Sequence, residues 1–216
     1  EAARVAEWDE ELERLVAEAR RAGATEVEVP LPEVLSATAV ARLRDTRDLA
    51  AFLGEFERNG GAGLFGSYVD TDDRNSDRYL VHVYQGGLGL PDESYYRDDK
   101  FGEIRDKYVA YLTRMLTLGG HPAPGEAAAR ILEVDTLLAR GHWERAETRD
   151  VQKTYNLATA DELRALAPAF DWDAYVTNIG GTSDTLAEVI VKQPSFLSHL
   201  STVLEEVSID DWKDWM

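Results

Sequence analysis

Residues 79–96 constrain what this chain can fold into more than any other stretch does. They read Tyr79-Leu-Val-His-Val-Tyr-Gln-Gly-Gly-Leu-Gly-Leu-Pro-Asp-Glu-Ser-Tyr-Tyr96. The first six residues alternate in the manner of a strand, the glycines and the proline favour a bend, and the acidic residues after the proline are typical of a helix start. The chain is therefore predicted to pass from a strand to a helix within this stretch.

A second β-rich segment lies just before it. Residues 64–69 read Leu-Phe-Gly-Ser-Tyr-Val, and the turn-forming stretch 70–77 separates them from the next strand. Two strands joined by a polar loop predict a β-hairpin over about residues 64–84. Because both faces of its second strand are partly apolar, we expect helices to cover the hairpin on at least one side.

Apolar residues recur at helical spacing through most of the remaining sequence. Before the hairpin they predict helices over residues 4–22, 33–44 and 48–58, with a short extended segment over 26–32. Asp45 or the threonine after it is expected to cap the third of these helices.

Two long helices are predicted after the bend, within about residues 94–145. The first ends at Gly119-Gly-His-Pro, where glycine and proline stop a helix, and the second runs from Glu126 to about Arg145. Because the connection is short, the two helices are expected to form an antiparallel pair. Short helices capped by Thr159 and Asp171, and a short strand, are predicted further on.

The last residues begin another helix, in which Trp212 and Trp215 are expected to be exposed and to belong to an interface with missing parts of the protein. The sequence also lacks an initiator methionine, a signal peptide and a cap at its end, so we interpret it as a piece of a longer chain. Within that piece, residues 1–216 are predicted to form a single helix-rich domain of the mainly α class, with a small β-hairpin.

Composition narrows the functional classes. The sequence has 41 acidic and 23 basic residues, a net charge of −18, and such a field repels nucleic acid. Without cysteine the chain has neither disulfides nor thiolate metal ligands, and its compartment, secreted or cytoplasmic, stays open. No apolar run is long enough to predict a membrane span in this segment.

The residues that could carry chemistry do not form a recognisable site. Asp70, Asp72, Asp73 and Asp77 suggest a calcium loop, but Arg74-Asn75 stands where an oxygen ligand and a glycine are needed, which favours a turn. Glycines 86, 87 and 89 lack the Lys-Ser/Thr of a phosphate loop and the spacing of a dinucleotide-binding motif, which favours a tight bend.

The four histidines also lack a partner at ligand spacing. They are His82, His121, His142 and His199, and none stands in a His-Glu-x-x-His frame. His142-Trp-Glu144 comes closest but has no second ligand, so structural roles are favoured for all four. The sequence therefore predicts no catalytic residue and no metal ligand, and it leaves substrate-binding residues unknown.

Several ordered motifs, however, resemble the neprilysin-type zinc metalloendopeptidases, bacterial members in particular. The first two are Leu64-Phe-Gly-Ser-Tyr-Val-Asp-Thr-Asp-Asp-Arg-Asn-Ser-Asp-Arg-Tyr79 and Gln85-Gly-Gly-Leu-Gly-Leu-Pro-Asp-Glu-Ser-Tyr-Tyr96. Residues 101–119 are similar to the helix that follows them in this family. Later landmarks come in the family's order: Arg149-Asp-x-x-Lys-Thr-Tyr-Asn156, Leu166-Ala-Pro168 and Phe170-Asp-Trp172. The resemblance covers about residues 32–216.

The resemblance implies a fold and a role. Family members have two mostly helical lobes around a cavity that admits peptides, with zinc held by His-Glu-x-x-His and a downstream glutamate, and the metal activates a water molecule. This sequence has no such motif and matches the helical lobe that caps the cavity. The resemblance thus implies zinc in the full-length enzyme and none in this segment, with the catalytic zinc lobe of the same protein and peptide substrates as partners.

Three functional hypotheses remain. The first is a cavity-capping, substrate-gating lobe that is inactive alone. The second is a stand-alone acidic module, derived from the same family, that binds a basic partner protein. The third, a hydrolase that uses its own carboxylates, has no positive support in the sequence.

Overall fold

The structure, a computed structural model, describes Arg21 and residues 37–216. The chain divides into two units, Glu1–Pro32 and Glu33–Met216, and every described residue except Arg21 lies in the second. The helix predicted over 4–22, the extended segment over 26–32 and the start of the helix over 33–44 therefore lie outside the described residues, apart from Arg21. The single domain over 1–216 stays a prediction.

The described part of the chain is mainly helical, which confirms the predicted class. Its strands are β1 (Phe65–Asp72), β2 (Asn75–Gln85), β3 (Leu157–Thr159) and β4 (Glu188–Val191). Its helices are α1 (Ala37–Ala41), α2 (Thr46–Arg58), α3 (Ser94–Arg97), α4 (Gly102–Leu118), α5 (Pro124–Ala139), α6 (Ala160–Leu166), α7 (Trp172–Ile179), α8 (Pro194–Glu206) and α9 (Ile209–Trp215). Short 3₁₀ turns occupy Asp99–Phe101 and Glu147–Arg149.

The predicted hairpin is the beginning of a four-stranded sheet with the strand order β1-β2-β4-β3. Strands β1 and β2 are antiparallel, β2 and β4 are parallel, and β3 and β4 are antiparallel. The sequence predicted the strand at β4 but not its pairing with β2. That pairing could not be predicted because the two strands are distant in the sequence and pair over only three residues each.

The hairpin turn is tighter than the sequence predicts, because Asp72 pairs with Asn75 and the strands extend well into the stretch 70–77. Asp72 is buried, and its carboxylate accepts hydrogen bonds from the Arg74 backbone at 2.9 Å and from the Tyr155 hydroxyl at 2.9 Å. Arg78 also donates to it, at 2.9 Å. These bonds hold the turn in a compact form that the polar composition alone does not specify.

The core lies between the inner face of the sheet and the helices that cover it. Phe65 is its centre, since the ring lies 5.2–5.3 Å from the rings of Phe170, Trp172 and Tyr175. Helix α2 packs on α7 at Gly54, where an added Cβ would collide with the Tyr175 carbonyl. The helices therefore cover the hairpin on one side, as expected from its apolar faces.

The long antiparallel pair is present as α4 and α5. It is shorter than predicted: residues 94–97 form the separate helix α3, and α5 ends at Ala139 rather than near Arg145. The end is set by packing, because Gly141 lies against the ring of His199 in a place that no side chain could share. The caps predicted for the helices are confirmed, as Asp45 accepts from Asp48 N, Thr159 from Glu162 N, and Asp171 from Ala174 N.

The prediction that Trp212 and Trp215 are exposed is wrong. Trp212 is 0% exposed and belongs to the core, and the Trp215 ring packs edge-on against it at 5.6 Å. Helix α9 packs against α5, so that the Trp212 ring is fully buried and the Trp215 ring is partly buried. A tryptophan on the apolar face of a helix can be buried within its own chain or lie in an interface with another segment. The sequence alone does not distinguish these two possibilities.

Helix α2 also brings a carboxyl group to the edge of this core. The Tyr175 hydroxyl donates to Glu57 Oε2 at 2.6 Å and lies 3.3 Å from the Ser67 hydroxyl. Glu57 Oε1 is buried and makes no hydrogen bond with the described residues. Burial raises the pKa of Glu57 to about 7, and the bond from Tyr175 offsets this only in part.

This carboxyl predicts a dependence of stability on pH. The pKa of Glu57 is higher in the folded protein than the ordinary 4.5, so its contribution to stability is greatest below pH 4.5 and is lost as the pH rises to about 7. Glu57→Gln keeps an acceptor for Tyr175 without the charge. We expect it to raise the free energy of unfolding by about 2 kcal/mol at pH 8 and by little at pH 5.

Urea unfolding at the two pH values measures the difference. Glu55→Gln, an exposed position on the same helix, serves as the control and should change little at either pH. An equal effect of Glu57→Gln at pH 5 and pH 8 would contradict the interpretation.

Candidate functional site

The end of β2 and the bend after it are bonded to distant parts of the chain. The backbone N–H of Gln85 donates to the Gln193 side chain at 2.9 Å. The Gln85 amide also donates to the Trp143 carbonyl at 3.1 Å and accepts from the Trp143 N–H at 2.8 Å. Gly87 then turns the chain with φ of +81°, a conformation that side-chain-bearing residues rarely adopt. The end of the strand is thus fixed to two distant segments.

His142 is hydrogen-bonded to the same bend through its ring. Its Nε2 lies 2.9 Å from the Gly86 carbonyl oxygen, which accepts the ring's hydrogen. Burial lowers the pKa of His142 to about 4, so the imidazole is neutral at physiological pH and this nitrogen carries a proton for the bond. This bond therefore connects the segment after α5 to the glycine bend.

The centre of the site is the carboxylate of Asp135, which is 1% exposed in the middle of α5. Trp215 Nε1 donates to its Oδ1 at 2.8 Å. Its Oδ2 accepts from the Tyr96 hydroxyl at 2.9 Å and the Tyr108 hydroxyl at 3.0 Å. The Gly89 N–H completes the set at 3.3 Å. We call this group the Asp135 junction.

Through the Asp135 side chain, the junction connects α5 to four other parts of the fold. The donors come from the glycine bend, α3, α4 and α9, while the acceptor is on α5. Tyr96 extends the network, because its hydroxyl also accepts from the Leu90 N–H at 2.7 Å. A buried carboxylate needs such partners, since an unpaired charge in the interior is strongly disfavoured.

The ionisation of these groups follows from their burial. Desolvation raises the pKa of Asp135, and the hydrogen bonds from Trp215, Tyr96 and Tyr108 act in the opposite direction. Desolvation and the nearby carboxylate raise the pKa of both tyrosines far above the ordinary range, so they remain proton donors. The junction can hold protons in fixed positions, but it is enclosed and has no room for a substrate beside the carboxylate oxygens that the four donors occupy.

A surface ion-pair group supports α9 next to this junction. Arg130 Nε donates to Asp214 Oδ2 at 2.7 Å, and His121 Nε2 lies 3.1 Å from Asp214 Oδ1. The segment between α4 and α5, the start of α5 and the C-terminal helix are thereby connected. Part of the interface that the two tryptophans were expected to make with other segments is therefore made within this chain.

The residues singled out in the sequence do not come together. The acidic stretch 70–77 forms the hairpin turn, the glycines form the bend, and His199 Nε2 bonds the Leu137 carbonyl at 2.7 Å. His82 is buried within β2 with both ring nitrogens unpaired among the described residues. In the part of the chain that the structure describes, no group of three or more His, Cys, Asp or Glu residues is arranged to hold a metal ion.

Sequence reasoning missed Asp135 and its four donors. One signal was present: Asp135 occupies the apolar face of α5, beside the buried residues Ile131, Val134 and Leu138. An acidic residue on an apolar stripe indicates either a buried network or a broken helix pattern. The donors could not be found, because they lie on other elements.

Comparison with known proteins places this arrangement in a family. The sequence matches the family model of peptidase family M13 over residues 11–216. The chain belongs to peptidase family M13. The neprilysin-type resemblance drawn from residues 64–96 and the later landmarks is therefore confirmed.

Two relatives of this chain illustrate the match. This chain is 31% identical over 147 residues to endothelin-converting enzyme 1 of Cavia porcellus, and the match covers 65% of this chain and 20% of the relative. It is 28% identical over 152 residues to Neprilysin-3 of Drosophila melanogaster, covering 65% of this chain and 19% of the relative. The chain thus spans about a fifth of the length of these relatives.

A solved structure gives the same result for the fold. The zinc metalloprotease ZMP1 of Mycobacterium tuberculosis is 38% identical to this chain, with a TM-score of 0.80 in complex with an inhibitor and 0.79 in an open state. The alignment covers 83% of this chain and 28% of ZMP1.

None of the helices in the described range is both long and apolar enough to cross a membrane.

The Asp135 junction predicts a specific loss of stability. Asp135→Asn replaces a carboxylate oxygen by an amide that donates hydrogen, so at least one of the four donors loses its acceptor. We expect the free energy of unfolding to fall by about 3 kcal/mol, and by about 1–2 kcal/mol for Trp215→Phe, which removes one donor. Urea unfolding followed by circular dichroism measures both.

Two comparisons test the coupling. Glu133→Gln, at an exposed position on the same helix, should change the free energy by less than about 0.5 kcal/mol. In the double variant, Trp215→Phe should cost less than it does alone, because its acceptor is already altered. Fully additive losses would show that the two side chains act independently.

Gly89 gives a second prediction, because a Cβ at this position would overlap the Tyr108 hydroxyl. Gly89→Ala should therefore push Tyr108 away from Asp135 and lower the free energy of unfolding by about 1–3 kcal/mol. Gly125→Ala is the matched control: it lies in α5 with open space around it and should be neutral or stabilising by about 0.5 kcal/mol. Thermal unfolding of both variants would reveal the contrast, and equal effects would refute it.

Proposed function

We propose that this chain is a non-catalytic lobe of a zinc-dependent metalloendopeptidase of family M13, and that it caps the cavity in which the enzyme hydrolyses peptides. The observation that carries the proposal is the match of residues 11–216 to the family, combined with a sequence that contains no His-Glu-x-x-His motif. In a zinc peptidase of this type such a motif supplies two ligands and the general base. Zinc and the catalytic residues would then belong to another part of the enzyme.

The architecture suits a lobe that moves as one body. The Asp135 junction binds the glycine bend, the helix pair and α9 together, and the bonds of Gln85 and His142 attach the hairpin to the same body. A lobe of this kind can open and close over a cavity without unfolding, and closure of a lobe selects substrates by size. ZMP1, which is similar to this chain, has been solved both in an open state and with an inhibitor.

One specific observation favours a second function. A net charge of −18 gives the chain a strongly acidic surface, which suits a stand-alone module that binds a basic partner protein. The coding sequence on both sides of residues 1–216 separates the two proposals. A reading frame that supplies His-Glu-x-x-His favours the lobe, and a stop codon directly after residue 216 favours the module.

An activity assay tests the main proposal directly. We expect the isolated 216-residue chain, incubated with zinc and a fluorogenic peptide, to give no turnover that a chelator abolishes. The full-length polypeptide encoded with these residues should hydrolyse the same peptide in a chelator-sensitive manner, and it should leave a folded protein of larger size intact.

Two results would overturn the proposal. Chelator-sensitive hydrolysis by the isolated chain would show that the catalytic residues lie within it. Hydrolysis of folded proteins and short peptides at similar rates by the full-length enzyme would exclude a size-selecting cap.

A further inference from the structure

The exposed apolar surface of the described residues is concentrated on the hairpin. Eight large apolar side chains are exposed, and four of them belong to β1 and β2. They are Tyr68, Val69, Tyr79 and Tyr84. Val69, at 68% exposed, lies near the middle of β1, where a free-standing protein usually has a charged residue to discourage pairing.

Among the described strands, β1 also forms an edge of the sheet. It stands first in the strand order, and β2 covers only one of its sides. Residues of β1 make no backbone hydrogen bond to any described residue outside the hairpin. An eight-residue edge with exposed apolar side chains is the usual template for the addition of another strand.

A row of side chains continues from this edge across the outer face of the sheet. Tyr68 pairs with His82, His82 with Ile190, and Ile190 with Leu157, so the four lie side by side on one face. The two ends of the row, Tyr68 and Leu157, are exposed, and the two middle residues are buried. A segment lying along β1 would cover the Tyr68 end of this row.

His82 is buried in this row beside Tyr68. Its ring is 1% exposed, stacks on Tyr68 at 5.0 Å, and has no hydrogen-bond partner for either nitrogen among the described residues. A buried polar group without a partner costs about 1–3 kcal/mol. Tyr68, its neighbour in the row, is the exposed side chain through which a segment lying along β1 would contact this face.

The charges near this face favour a partner other than a second copy. Asp70 and Asp73 are exposed at the distal end of the hairpin, and Lys192, 3.7 Å from Asp73, partly offsets them. Two copies joined edge to edge would bring two net charges of −18 together. A segment with a basic residue opposite Asp70 would be attracted instead.

We infer that the edge of β1 that no described residue pairs, with the adjoining exposed side chains of Tyr68 and Tyr84, docks an extended segment from the part of the M13 polypeptide outside these 216 residues. The inference rests on the proposed function. Its occupant follows from length: the chain spans 28% of ZMP1 and about a fifth of the curated relatives, so most of such an enzyme lies elsewhere. The segment adds a strand to β1 and places apolar side chains on Tyr68 and Val69.

Hydrogen exchange of the backbone amides tests this docking. Residues 66–71 are followed by mass spectrometry in the isolated chain and in the full-length polypeptide encoded with it. We expect exchange of these amides to be at least about tenfold slower in the full-length protein, because the added strand occupies the edge.

A pair of matched variants sharpens the test. Val69→Lys puts a charge on the edge, and Val151→Lys puts the same charge on an equally exposed valine, 70% against 68%, that lies off the sheet. Both should leave the unfolding of the isolated chain unchanged within about 0.5 kcal/mol. In the full-length protein, only Val69→Lys should remove the tenfold protection and lower peptide hydrolysis.

The remaining outcomes distinguish failure of this inference from failure of the proposed function. Equal exchange at residues 66–71 in an enzyme that hydrolyses peptides would overturn the docking inference and leave the capping lobe in place. Protection that appears in the isolated chain as its concentration rises would assign the edge to a second copy, and protection that requires an added peptide would assign it to substrate. A full-length protein with no zinc-dependent hydrolysis would overturn both.

Discussion

The structure depends on one buried carboxylate. Asp135 sits in the interior of α5, and it is held there by donors from the glycine bend, α3, α4 and α9. Three of these segments, the glycine bend, α3 and α9, are short. Because all four donate to the same two oxygens, none can shift without leaving a buried polar group unpaired, and the bend, the helix pair and the last helix take up one arrangement.

The elements were predictable from sequence because their signals are local. Helical spacing, the caps at Asp45, Thr159 and Asp171, and the glycines of the bend all act within a few residues. The Asp135 junction was not predictable, because its donors lie 46, 39, 27 and 80 residues from the acceptor. The same reason explains the error at Trp212, since an apolar stripe does not say whether it faces this chain or another.

The family motif and the architecture now explain each other. The stretch from Gln85 to Tyr96 carries most of the resemblance to the neprilysin-type enzymes, and its residues also bond Asp135, His142, Trp143 and Gln193. Gly87 and Gly89 are required by close approach to Leu64 and Tyr108, and Tyr96 is required by Asp135. The motif thus identifies the peptidase family through residues that build the body of the lobe, while the candidate contact surface lies on the hairpin beside it.

The parallel pairing of β2 with β4 also affects when the sheet can form during synthesis of the chain. Gln85, at the end of β2, bonds Gln193, which is 108 residues later. Closing a loop of that length costs about 4 kcal/mol of chain entropy, and it must occur before the sheet can stabilise itself. At ribosomal rates of about 5–20 residues per second, the hairpin waits roughly 5–20 s for its partner strand. During synthesis its apolar faces are open to chaperones and to other nascent chains.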